Sequence, residues 1–146
     1  MSFNFSDIEK EIQSISTNDK ETPEGVLSSL NDNRGKLEYY YREARLDLDK
    51  KFHEVCTPLY QKRAKIVQND SSLSRFWLMA LKNHPLIGNF ITEDDENLLA
   101  HVKDIQLSYL STEPGFRLSF IFEPNEFINN DILEKTYYLE NLKEPA

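Results

Sequence analysis

The densest cluster of chemistry-bearing side chains in the chain is Glu93-Asp94-Asp95-Glu96, directly after Thr92. Four adjacent carboxylates can hold a cation, cap a helix or meet a basic partner. A calcium-type loop needs alternating oxygen ligands and a loop glycine. The run has neither, so no metal is expected there. Thr92 in front of it suits an N-cap, and acids in a first turn complement the helix dipole. The three histidines, His53, His84 and His101, are far apart in sequence, and no His/Cys pair has zinc-ligand spacing. Cys56 falls inside a helical pattern with no base placed beside it, and is expected to pack rather than react. The four glycines form neither a phosphate loop nor a dinucleotide fingerprint. These residues point to a binding protein without cofactor, metal or catalytic group, not to an enzyme.

The charge is unevenly placed. Residues 1–84 carry 13 acids and 13 bases, whereas residues 85–146 carry 12 acids against Lys103, Arg117, Lys135 and Lys143. The whole net charge of −8 therefore belongs to the last 62 residues. Such a domain repels nucleic acid phosphate and attracts basic partners. Simple solubility accounts for an acidic balance equally well. A single cysteine, no basic and apolar leader, and no run near the roughly 20 apolar residues of a membrane span suit the cytoplasm or nucleus.

The elements that position these groups follow from periodicity. Residues 1–24 are expected to be a flexible segment with a frayed turn at Ile8, Ile12 and Ile15, ending in a helix start near Pro23. Residues 25–69 form a long helix in this reading. Its apolar positions Leu27, Leu30, Leu37, Tyr41, Ala44, Leu48, Phe52, Val55 and Leu59 make a heptad seam with one stutter at Phe52. Gly35 weakens the helix, and Pro58 predicts a kink. Some forty helical residues span about 60 Å, more than a chain of this size can cover by itself. The seam is therefore expected to pair with a second copy in a twofold dimer. Residues 70–146 are expected to be an acidic α/β domain. Leu73 to Asn83 reads as a buried helix closed by His84-Pro85, and Glu93 to about His101 as a second. Three antiparallel strands follow: Ile105–Tyr109, then Phe116–Phe122 with its four even-numbered apolar residues on one face and Arg117 and Ser119 opposite, then Lys135–Leu139. Tyr137 and Tyr138 read as sheet or core residues. The fold class is α+β, a long dimerisation helix followed by a small α/β unit with an antiparallel sheet.

Several segments in this order resemble the nucleosome assembly protein family, which includes the SET branch. They are Pro58-Leu59-Tyr60-Gln61-Lys62-Arg63, Phe76-Trp77-Leu78-Met79-Ala80-Leu81-Lys82-Asn83-His84-Pro85 and Ile91-Thr92-Glu93-Asp94-Asp95-Glu96. Leu99 to Ile105, Phe122-Glu123-Pro124-Asn125-Glu126-Phe127 and Leu133-Glu134-Lys135-Thr136-Tyr137 complete the match, over about residues 27–140. The resemblance implies a homodimer held by long antiparallel helices, shaped like a headset, each end an α/β "earmuff" whose acidic underside binds core histones. It makes Glu93, Asp94, Asp95, Glu96, Glu123, Glu126, Asp131 and Glu134 the candidate histone contacts, for a histone chaperone of nucleus and cytoplasm that assists nucleosome assembly. No membrane partner and no sequence-specific nucleic acid binding are expected. Family members usually continue with further strands, helices and an acidic tail, so the chain is expected to be a fragment or a minimal form, its earmuff partial. The competing reading is a histone-independent dimerisation module that pairs with a full-length family member.

Overall fold

The computed structural model describes residues 22–139 together with Ser6, Glu9, Lys10 and Gln13. The turn expected at Ile8, Ile12 and Ile15 lies outside the described residues. The described residues fall into two compact units that divide between Lys51 and Phe52, the second running to Tyr138.

In the first unit the chain enters helix α1 (Pro23–Asn69). Thr22 Oγ1 accepts from Gly25 N at 3.2 Å, and its carbonyl accepts from Val26 N at 3.0 Å. Pro23 fills the first helical position, where its missing N–H costs nothing. The exposed surface is laced by i,i+4 pairs: Arg42 with Glu38 at 3.1 Å, and the Tyr39 hydroxyl donating to Glu43 at 2.9 Å. Of the seam residues here, Leu27, Leu30, Tyr41 and Leu48 are exposed, while Leu37 and Ala44 are half-buried. Leu46, outside the seam, is buried.

In the second unit α1 continues through Pro58, and Thr57 Oγ1 donates to the carbonyl of His53 at 2.9 Å. The helix here has two apolar faces, roughly a quarter turn apart at the usual helical rotation per residue. One packs on its own chain. His53 meets the rings of Tyr60 and Tyr109, both at 5.6 Å, and the Arg63 guanidinium lies 5.1 Å from Tyr60 and 4.8 Å from Trp77. Val67 ends that face in the core. A hydrogen bond with Cys56 is the main cause that raises the Tyr60 phenol above its ordinary value, followed by desolvation. The other face carries Phe52, Val55, Leu59 and Ile66, all more than 60 % exposed.

The helix expected over Leu73–Asn83 is shorter and divided. A 3-10 turn covers Ser71–Leu73, and helix α2 covers only Phe76–Lys82. Asp70 Oδ1 accepts from both N and Oγ of Ser72, a local bond that competes with regular helix. Trp77 and Leu78 are the buried residues of α2. A second 3-10 turn, Ile87–Phe90, was not foreseen. It is held by Gly88, where an added Cβ would lie 2.2 Å from the Lys82 carbonyl oxygen. Helix α3 (Glu93–Leu99) opens on a capping box: Asp95 N donates to Thr92 Oγ1, and Thr92 N donates to Asp95. It stops two residues before the predicted His101.

Strands β1 (Val102–Tyr109), β2 (Gly115–Phe122) and β3 (Ile132–Tyr138) form an antiparallel sheet in the order β1-β2-β3. Two strands begin three residues earlier than predicted. Ile132 and Leu133 pair with Ile121 and Phe120, and β1 reaches back through a bulge between Val102 and Asp104. Opposed residues share a face. The register therefore sets Ile105, Leu107 and Tyr109 beside Phe120, Leu118 and Phe116. Gly115 allows the tight entry to β2, where a Cβ would meet the Tyr137 carbonyl oxygen at 2.5 Å. The core gathers Val67, Trp77, Val102 and Phe122, with Phe76, Leu98, Leu99, Ile105, Phe120 and Ile128 packed around them. The architecture is α+β, with the long helix preceding short helices and a three-stranded antiparallel sheet.

Candidate functional site

The eight candidate carboxylates lie on three elements of the second unit. Glu93 to Glu96 form the first turn of α3. Glu123 and Glu126 belong to the loop after β2, with Asp131 at its far end, and Glu134 lies on β3.

Four of the eight are already engaged by the fold. Asp95 completes the capping box, and hydrogen bonds from the Thr92 backbone and then its hydroxyl hold its carboxyl below the ordinary aspartate range. Glu96 pairs with Lys82 of α2. Glu123 takes the His101 ring Nδ1 at 2.9 Å, while its backbone N–H donates to the His101 carbonyl at 3.0 Å. Glu134 accepts from Ser119 Oγ at 2.7 Å, with Arg117 at 3.9 Å.

The other four, Glu93, Asp94, Glu126 and Asp131, are exposed, and their carboxylates have no ion pair among the described residues. The Asp131 carbonyl accepts from Phe122 N at 2.8 Å. Glu126 rides on a loop built by Asn125. That side chain accepts from the N–H groups of Phe127 (2.9 Å) and Ile128 (3.0 Å) and donates to the Glu123 carbonyl (2.9 Å). Carboxylates held on a fixed frame without a cation of their own can receive lysine or arginine at no cost in broken pairs.

Sequence reasoning missed the frame. Asn125 was legible as a turn former, because Asn bonds to N–H groups two and three residues on. Lys82 and His101 gave no local signal, since each partner lies 14 or 22 positions away. Among the described residues no three His, Cys, Asp or Glu side chains are grouped to hold a metal ion. No helix of the described residues is long and apolar enough to cross a membrane.

The nine proposed seam residues are placed on α1. Seven of them, Leu27, Leu30, Tyr41, Leu48, Phe52, Val55 and Leu59, are exposed apolar groups in the single chain.

Known proteins resemble the chain over most of its length. Residues 68–146 match the family model described as nucleosome assembly protein (NAP). Nucleosome assembly protein 1;2 of Oryza sativa subsp. indica is 32% identical, across 82% of this chain and 39% of the relative. Nucleosome assembly protein 1;3 of Nicotiana tabacum is 30% identical, across 92% of this chain and 41% of its own. The chain thus spans about two fifths of the length of these curated relatives. Among solved structures, nucleosome assembly protein 1 from Plasmodium knowlesi superposes with a TM-score of 0.61 at 26% identity, covering 94% of this chain and 61% of that one. Ccp1 superposes at 0.63 and 28% identity, covering 75% and 54%. With the family model matched over residues 68–146 and the α+β order shared with these solved structures, the chain belongs to the nucleosome assembly protein family.

Proposed function

We propose that the chain is a histone chaperone, a non-catalytic dimer that binds core histones through its acidic α/β unit and assists nucleosome assembly in the nucleus and cytoplasm. The observation that carries this reading is the set of four exposed carboxylates without an ion pair among the described residues, Glu93, Asp94, Glu126 and Asp131, within the last 62 residues, which hold all of the net −8 charge. These groups receive histone lysines and arginines and occupy the surface that DNA phosphate would otherwise take. Complementarity of this kind governs encounter rate and choice of partner more than raw affinity. Exposed Phe52, Val55 and Leu59 support pairing of α1 with a second copy, since burying a large apolar side chain gains about 1.5–3 kcal/mol.

An assembly assay tests the reading. Core histones mixed directly with DNA at physiological salt aggregate; with a stoichiometric amount of the chain they should stay soluble and be deposited as nucleosomes. Aggregation as severe as with an unrelated acidic protein would contradict it. A stable dimer with that outcome would leave the chain a dimerisation module for a longer family member.

A further inference from the structure

Outside the long helix, the most exposed large apolar side chains among the described residues are Phe90 and Leu86, at 82% and 70%. They sit on the loop between α2 and α3, and that loop is built rather than frayed. His84 Nδ1 accepts from the N–H groups of both Leu86 and Ile87 at 3.3 Å. Gly88 N donates to the His84 carbonyl at 2.9 Å, and Asn89 Nδ2 donates to the Pro85 carbonyl at 2.9 Å. Gly88 rests against the Lys82 carbonyl so closely that no side chain fits. Two bulky apolar groups are thus held in water on a frame with little freedom to turn them inward. A fixed apolar projection loses little conformational entropy when a partner covers it.

The charge around the loop selects the partner. From Asn83 to Val102 the chain holds four acids and no lysine or arginine. Asp95 is engaged by Thr92 and Glu96 by Lys82, whereas Glu93 and Asp94 begin three residues after Phe90 and have no ion pair among the described residues. An apolar projection followed directly by exposed carboxylates matches a basic segment that also carries an apolar side chain.

We propose that the Leu86–Phe90 loop is the apolar anchor of the client surface, covered by an apolar side chain of a basic histone segment whose lysines or arginines meet Glu93 and Asp94. This rests on the chaperone reading above and adds to it a contact that salt does not screen. Screening weakens the carboxylate contacts as ionic strength rises, while burial of Phe90 persists.

The test titrates labelled core histone dimers into the full chain at physiological ionic strength and at severalfold higher salt. Phe90→Ala should weaken binding roughly tenfold, the size of a modest interface anchor, by a similar factor at both salts. Phe90→Leu should keep most of the affinity. Glu93→Gln with Asp94→Asn should weaken binding mainly at the lower salt. Because Phe90 is exposed, its variants should melt like the parent. Undiminished histone binding by Phe90→Ala would overturn the role of the loop while leaving the chaperone reading intact. A lower mass of the Phe90→Ala chain by light scattering would also overturn it, assigning the loop to contact between copies. Failure of the parent chain itself to bind histones would overturn both.

Discussion

The indole Nε1 of Trp77 donates to the backbone carbonyl of Lys103 at 3.0 Å, and Lys103 is the residue that the β1–β2 register leaves out. A bulge disrupts the ladder locally, and here the indole of α2 supplies a donor at that point. One side chain therefore joins the short helix to the sheet and fills the core beside Val67, Val102 and Phe122. Trp77→Phe keeps most of the volume and removes the donor, so it should cost about 1–3 kcal/mol. Trp77→Ala also opens a cavity and removes the ring under Arg63, and should cost about 3–5 kcal/mol. Denaturant unfolding of both variants checks the order. Equal losses would show that the bond to Lys103 contributes nothing separable.

Two glycines should respond to the same substitution with opposite signs. At Gly88 a methyl group would sit 2.2 Å from a backbone oxygen, so Gly88→Ala forces the loop off α2 and lowers stability. At Gly35, inside α1, nothing lies within 4 Å, and Gly35→Ala should raise helix stability by up to about 1 kcal/mol. Thermal melting of the pair is sufficient. A stabilising Gly88→Ala would contradict the close packing described.

The capping box has a pH signature. Asp95 is held below its ordinary value of 3.8 by hydrogen bonds from the Thr92 backbone and hydroxyl. A carboxyl depressed in the folded chain contributes stability that is complete above its unfolded value and fades as pH falls through the folded one. Asp95→Asn should therefore be less stable than the parent at neutral pH, with the gap constant down to about pH 5 and closing below. Thr92→Ala, which loses the cap, should cost about 1 kcal/mol at neutral pH. A gap that widened on acidification would contradict this arrangement.

The exposed face of α1 should hold two copies together. Val55→Glu and Leu59→Glu place charges in the exposed apolar face, and should shift the chain toward monomer by light scattering. Lys65→Glu, off that seam, should leave the mass unchanged. A parent chain already monomeric would contradict the pairing of α1.

Much of the fold was legible because it is written in local periods. The α1 stripe, the alternation in β2 and the Thr92 signal each need only neighbours in sequence, and each helix and strand appeared close to its expected place. The errors lie where distant residues or short side-chain bonds decide. Asp70 and Ser72 divide the helix expected from Leu73, and pairing with Ile121 and Phe120 draws β3 back to Ile132. The candidate carboxylates were legible as residues but not as a site. The split between engaged and free groups depends on Lys82, His101 and Ser119, none of which periodicity connects to them. The second apolar face of α1 was hidden for the same reason, since Arg63 and His53 look polar until Trp77 and Tyr109 lie against them.

The most direct test is a titration of labelled core histone dimers into the purified chain across a salt series, with parent and two double variants compared. The parent should bind tightly, with an affinity that weakens steeply with salt. Glu126→Gln with Asp131→Asn, whose carboxylates have no ion pair among the described residues, should lose affinity with unchanged melting. Asp95→Asn with Glu96→Gln, whose carboxylates serve the fold, should lose stability first. Histone binding no stronger or more salt-sensitive than that of an unrelated protein of equal charge would contradict the account at its centre.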